Sequence, residues 1–252
     1  MNVQQPTVRE RSDVRVFADA DLVARASAEF FIDSAARAVG ARGKFAVALA
    51  GGSTPKAAYE LLASTAHRGR VAWDAVRFFF SDERCVPPEN PESNYGMAND
   101  TLLKPLGIDP KHVFRMLGED VPAQAAAAYA QLLTNELGLE PVLDLVMLGM
   151  GPDGHTASLF PGSPPDAHDA ELVEAPFVQK FGTYRITFTP RTINAAREVS
   201  IATHGAEKAD ALAHVLDGPF DPVTYPVQIV NPHSGRLVWF VDRAALGLAP
   251  DT

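Results

Sequence analysis

The segment Asp144-Leu-Val-Met-Leu-Gly-Met-Gly-Pro-Asp-Gly-His155 sets a carboxylate and an imidazole two residues apart at the end of an apolar run. The run ends at Leu148 and reads as a buried strand, and its glycines let the backbone turn tightly. Asp153 and His155 are thereby delivered together at a strand's carboxyl end, where open α/β sheets bind and transform ligands. A histidine held on such a support can move protons. No apolar periodicity explains a histidine at this position, so acid–base work outweighs a purely structural role.

Three further junctions carry an apolar strand into polar residues. Gly51-Gly52-Ser53-Thr54-Pro55 follows the continuous apolar run Phe45–Ala50. Ser53 or Thr54 can cap a helix and Pro55 suits its first turn. Free N–H groups and two hydroxyls at such a start favour phosphate or another oxyanion. The alternative is an ordinary well-capped helix. The loop is neither a Walker A sequence nor a G-x-G-x-x-G fingerprint, so neither ATP nor NAD is indicated.

Ser81-Asp82-Glu83-Arg84 follows the aromatic strand Val76–Phe80. It reads either as a surface ion-pair cluster or as an Arg84 fork, steadied by acidic neighbours, that grips a phosphate. Cys85 has no histidine near it in sequence and reads as a packed, inert thiol. In Gly205-Ala-Glu-Lys208, Lys208 falls in the first turn of a helix, against the macrodipole. Such a cation is either solvated along its stem or has an anion to meet. The remaining histidines show no metal-binding spacing, and no G-x-S-x-G elbow supplies a serine nucleophile. If the strands run parallel, all four junctions open on one sheet edge. They then assemble an anion cradle (Ser53, Thr54, Arg84, Lys208) beside an acid–base group (His155). The residues alone thus point to an enzyme acting on a small phosphorylated metabolite without a nucleotide cofactor.

The elements that position these groups alternate between strand and helix, which favours a largely parallel sheet covered on both faces. Strands are expected at 14–17, 45–50, 76–80, 143–148, 184–189, 199–203, 227–230 and 237–241. Helices are expected at 19–39, from the Gly51–Pro55 turn to 62, and at 95–103, 123–137 and 206–216. Residues 166–174 are acidic and read as a surface loop, and 1–12 as a flexible N-terminus. No repeat or linker divides the 252 residues, which suit one large α/β domain. A net charge of -9 argues against nucleic-acid or membrane-surface partners. A single cysteine suits a cytoplasmic protein, and no signal or membrane-spanning run is visible.

Several of these stretches resemble one family. They are Ala50–Lys56, Phe80–Pro87 with Ser93-Asn-Tyr95, Leu148–Gly162, Arg185–Thr189, the Gly205–Ala209 turn and Pro226–Val230. Together they resemble the 6-phosphogluconolactonases, relatives of glucosamine-6-phosphate deaminase. Where this chain has Asp82-Glu83-Arg84, the deaminases tend to carry Asp-Glu-Tyr. After the histidine they read Ala-Phe-Asn-Glu-Pro-Gly, where this chain has Ala157-Ser-Leu-Phe-Pro-Gly162. Both features favour the lactonase, and 166–181 matches neither pattern.

The resemblance implies a three-layer α/β/α sandwich around a mostly parallel, modified Rossmann-like sheet. It implies hydrolysis of 6-phospho-D-glucono-1,5-lactone to 6-phospho-D-gluconate, with no metal or organic cofactor and a monomer or weak homo-oligomer. Gly51, Gly52, Ser53, Thr54, Arg84 and Lys208 would hold the phosphate, with Arg185 as a helper. His155 would be the general base, oriented by Asp153 or by Asp82. Backbone N–H groups of the Gly149–Gly154 turn are the candidate oxyanion donors. The rival readings are a glucosamine-6-phosphate deaminase/isomerase and a sugar-phosphate sensor without turnover.

Overall fold

A computed structural model of the chain describes residues 6–162 and 171–249. Ten strands are present among them: β1 Asp13–Phe17, β2 Phe45–Leu49, β3 Val76–Phe80, β4 Asp82–Arg84, β5 Leu145–Gly149, β6 Val173–Glu174, β7 Phe177–Val178, β8 Thr183–Phe188, β9 Glu198–Thr203 and β10 Arg236–Asp242. The helices are α1 Ala20–Arg42, α2 Ser53–Ala63, α3 Asn94–Ala98, α4 Lys104–Leu106, α5 Pro122–Leu137, α6 Pro190–Asn194 and α7 Ala209–Asp217.

Six strands form an all-parallel sheet in the order β1-β10-β9-β5-β2-β3. Alternation along the strands feeds two separate cores. Phe45, Val47 and Leu49 of β2 pack with Val23, Phe31 and Tyr59 on the α1/α2 face. Ala46 and Ala48 face the other way, with Tyr129, Leu133, Leu212 and Val215 of α5 and α7. Burial on both faces is why β2 reads as an unbroken apolar run. The expected sandwich is therefore present. No helix among the described residues is long and apolar enough to cross a membrane.

The strand order also fixes where a ligand can enter. β2 leads to β3 on one side, whereas its neighbour β5 leads to β9 on the other. The loops leaving β2 and β5 therefore diverge, and that switch point opens a crevice at the strands' carboxyl ends.

Several sequence expectations change. α1 passes through Gly40 and stops only at Gly43, whose left-handed backbone (φ 71°) lets its N–H close on the Val39 carbonyl. The helix expected over 95–103 is α3 followed by a π-helical turn at Asn99–Leu103. Residues 184–189 supply β8, which lies outside the parallel sheet. β8 pairs antiparallel with β4, β6 and β7 in a small second sheet.

The strand expected at 227–230 is a 3₁₀ turn, Pro226–Ile229. Pro226 has no N–H to give a ladder. The Gln228 amide instead donates to the carbonyls of His214, Val215 and Pro219, tying the turn to the end of α7. Residues 1–5 of the supposed flexible N-terminus lie outside the described residues, but 7–12 are docked. Val8 is buried, and Arg11 donates to the carbonyls of Gln228 and Val230 at 2.6 and 2.8 Å. Of the acidic loop at 166–174, residues 166–170 lie outside the description, while Val173–Glu174 form β6 against β8.

Candidate active site

At the switch point the loops after β2, β5 and β9, with β4, enclose a cavity of about 240 Å³. That is room for one small metabolite, slightly under the ~300–1,000 Å³ of typical ligand pockets. Ser53, Thr54, Asp82, Arg84, His155 and Lys208 all line it, as do Gly51 and Gly52.

The His155 turn is closed by its own backbone. The Gly151 N–H donates to the His155 carbonyl at 2.9 Å, and the Gly154 N–H to the Gly151 carbonyl at 3.0 Å. Gly154 takes φ 75°, and a side chain there would press on Tyr225. The result is a tight loop in which His155 Nδ1 lies 2.5 Å from Asp153 Oδ1. Phe160 stacks on the imidazole, with centroids 4.3 Å apart. With Nδ1–H donating to Asp153, the lone pair resides on Nε2. Among the described residues no protein group hydrogen-bonds that nitrogen. A ring held at Nδ1 and free at Nε2 is arranged to accept a proton there.

Burial works to raise the Asp153 pKa, but hydrogen bonds from His155 and Lys180 outweigh it and hold the carboxyl well below its usual range. Asp153 thus stays ionised as the partner of the ring. Asp82, the other carboxylate the sequence offered, is engaged elsewhere. Its Oδ2 accepts from Ser158 Oγ at 2.8 Å and its Oδ1 from Asn94 Nδ2 at 3.1 Å. The carboxylate on His155 is therefore Asp153. The oxyanion-donor expectation also narrows, because the N–H groups of Gly151 and Gly154 close the turn and that of His155 reaches Asp153 Oδ1 at 3.3 Å.

Gly151 permits the His–Asp contact sterically, since a Cβ there would overlap the His155 ring and crowd Asp153 Oδ1. Gly151→Ala is expected to lower kcat about tenfold, because small misplacements of a catalytic group are costly. Steady-state kinetics alongside an unchanged far-UV circular dichroism spectrum check this.

The anion end of the cleft is built from three elements. α2 starts at Ser53 behind Gly52 (φ 102°), and no side chain caps it. Its first N–H groups are thus available to an anion, which the helix dipole also favours. Gly51 has no Cβ because the Asn94 carboxamide occupies that space. Arg84, on β4, anchors one guanidinium nitrogen on the Glu92 carbonyl at 2.6 Å. Lys208 follows Gly205 (φ 97°) in a 3₁₀ turn, and its nearest carboxylate is Glu207 at 3.9 Å.

Glu83 is not part of the cleft. It is buried and accepts from Ser93 Oγ and the N–H groups of Asn94 and Tyr95, so it caps α3. Burial pushes its pKa up, against those hydrogen bonds. Arg185 lies outside the cleft lining, directly across the β4–β8 ladder from Arg84. Burial, then the Arg84 charge, lower its pKa, and its guanidinium sits 5.1 Å from the Phe181 ring centroid. Burial likewise pushes the Cys85 thiol up, in keeping with an inert cysteine.

No role for Asn94, Ser158, Phe160, Lys180 or His204 is legible from the sequence alone. Gly51 was the available signal for Asn94, a glycine required by a close side chain rather than by a positive φ. Lys180 carried no signal, since it reaches Asp153 from 27 residues away.

Residues 18–239 match the family model described as glucosamine-6-phosphate isomerases/6-phosphogluconolactonase. The 6-phosphogluconolactonase of Nostoc sp. is 37% identical over 240 residues, covering 93% of this chain and 97% of that protein. The 6-phosphogluconolactonase of Homo sapiens is 37% identical over 242 residues, covering 93% of each. The solved structure of 6-phosphogluconolactonase from Trypanosoma brucei superposes with a TM-score of 0.82 at 28% identity, covering 94% of this chain and 98% of that one. On this evidence the chain belongs to the glucosamine-6-phosphate isomerase/6-phosphogluconolactonase family.

Proposed function

We infer that this chain hydrolyses 6-phospho-D-glucono-1,5-lactone to 6-phospho-D-gluconate, a step of the oxidative pentose phosphate pathway. The observation that carries the reading is the His155–Asp153 pair at one side of a cleft whose other side is cationic and carries a helix N-terminus. The lactonase names of its relatives support the same substrate.

In this reading Ser53, Thr54, Arg84, Lys208 and the backbone at Gly51–Gly52 hold the 6-phosphate. Arg185 supports Arg84 from across the ladder. Like charges directly opposite one another repel, and a dianion beside Arg84 relieves that repulsion. His155 Nε2 takes a proton from water as its oxygen bonds to C1. The tetrahedral intermediate then collapses, the C1–ring oxygen bond breaks, and the proton passes to the departing oxygen, which becomes the C5 hydroxyl. Asp153 holds the ring in the required tautomer and stabilises the imidazolium between the two transfers. Asp82, fixed by Ser158 and Asn94, shapes the cleft floor and acts on neither proton.

The same reading makes the protein a single-domain cytoplasmic enzyme, working as a monomer or weak homo-oligomer. Its single cysteine supports the compartment.

The test is to generate the lactone in situ from glucose 6-phosphate and follow acid release against the spontaneous rate, with glucosamine 6-phosphate in parallel. Lactone clearance above the spontaneous rate without ammonia from the amino sugar is expected. Ammonia release with lactone decay at the spontaneous rate would favour the deaminase. Binding of 6-phosphogluconate without turnover of either substrate would favour a sensor.

A further inference from the structure

Lys180 enters the site from the second sheet. It sits in a 3₁₀ turn, Gln179–Phe181, closed by Gly182 (φ 62°) whose N–H returns to the Val178 and Gln179 carbonyls. From there its Nζ lies 2.9 Å from Asp153 Oδ2. Asp153 Oδ1 faces His155 Nδ1, so the two carboxylate oxygens are divided between an imidazole and an ammonium. Phe181, the next residue, meets Phe160 edge-on with centroids 5.7 Å apart, and Phe160 stacks on the His155 ring. One turn of the β7–β8 hairpin therefore touches both the carboxylate and the aromatic ring that hold the histidine.

An ion pair with its lysine 54% exposed contributes little to stability, so stability does not account for it. Its geometric consequence is larger. A carboxylate held through one oxygen can rotate about its Cβ–Cγ bond, and a second contact on the other oxygen removes that freedom.

We propose that Lys180 is a positioning residue for the hydrolysis, locking the Asp153 carboxylate on His155 and setting the proton affinity of the ring through it. The proposal rests on His155 being the base. Other charged groups also bear on this pair. Asp82, Arg84, His204, Glu207 and Lys208 share the cleft with His155. Glu174 shares the groove behind Asp153 with Lys180, and Arg185 lies across Phe181. Among the described residues, the hydrogen bonds of the Asp153 carboxylate are made by Lys180 and His155.

The sign follows from charge. Lys180 partly offsets Asp153, and removing it leaves that carboxylate unopposed beside the ring. The imidazolium is then favoured, and His155 gives up its proton only at higher pH. The limb of kcat that rises as His155 deprotonates must move upward.

The experiment compares wild type, Lys180→Met and Lys180→Arg by kcat and KM across pH, and by NMR titration of the His155 Cε1–H signal. For Lys180→Met we expect the His155 midpoint to rise. kcat below the limb should fall roughly 3–10-fold with KM retained, and Lys180→Arg should restore both. An unmoved NMR midpoint in Lys180→Met overturns the proposal, as does a kcat loss that Lys180→Arg does not reverse. The NMR midpoint reads the coupling without catalysis, so it stands apart from a failure of the base assignment, which His155→Ala kinetics expose. The lysine is exposed, and thermal melting of each variant verifies that the comparison is between folded proteins.

Discussion

His155→Ala is expected to lower kcat for the phosphorylated lactone by about 10²–10⁴-fold, the usual worth of a positioned general base. KM should stay within a few-fold of wild type. The reason lies in the geometry of the cleft. The phosphate-facing groups are carried by α2, β4 and the Gly205–Lys208 turn, all separate from the loop that carries His155. Removing the imidazole deletes the proton acceptor and leaves the anchor. Its fold should survive as well, because the loop is closed by backbone hydrogen bonds of Gly151 and Gly154 rather than by the ring. Steady-state kinetics on lactone generated in situ, corrected for spontaneous hydrolysis, measure both parameters. Near-normal kcat would remove His155 from the role of base.

Arg84→Ala is expected to have the complementary effect. KM should rise on the order of 10–100-fold and inhibition by 6-phosphogluconate should weaken in parallel, with kcat changed much less. A hydrogen bond to a charged group contributes about 1.5–3 kcal/mol, and losing the guanidinium deletes at least one such contact to the phosphate. Among the described residues neither Arg84 nor Arg185 makes an ion pair with a carboxylate. Arg84 is instead steadied by the Glu92 carbonyl, which positions the guanidinium without neutralising it. Lysine at position 84 should recover only part of the affinity, since it lacks the planar fork. Product inhibition unchanged in Arg84→Ala would show that the phosphate is held elsewhere.

Much of the site was legible because its signals are local. Asp153 and His155 are two residues apart on one glycine-rich turn, and backbone hydrogen bonds inside that turn suffice to bring them together. The Gly51–Pro55 helix start and the Gly205–Lys208 turn are likewise short-range features. What sequence could not decide was which carboxylate faces the ring. Asp82 and Asp153 are both plausible until Ser158 and Asn94, far from one another in the chain, are seen to occupy Asp82.

The strand alternation gave the parallel sheet, yet the second sheet was hidden. β4 has three residues and β6 and β7 two each, too few for any periodicity to register. That small sheet leads into the Lys180 turn, so Lys180 was hidden with it. At 227–230, apolar β-branched residues suggested a strand. The Pro226 backbone and the Gln228 amide, bonded to the end of α7, decided otherwise.

The central claim is that His155, held by Asp153, takes the proton from water. Its most direct test is kcat as a function of pH for wild type and His155→Ala on the same lactone preparation. The account predicts a limb rising with pH in the wild type that is lost in the variant, whose residual rate above the spontaneous background is flat across that range. The same limb in both proteins would mean that another group supplies the base, and would contradict the assignment.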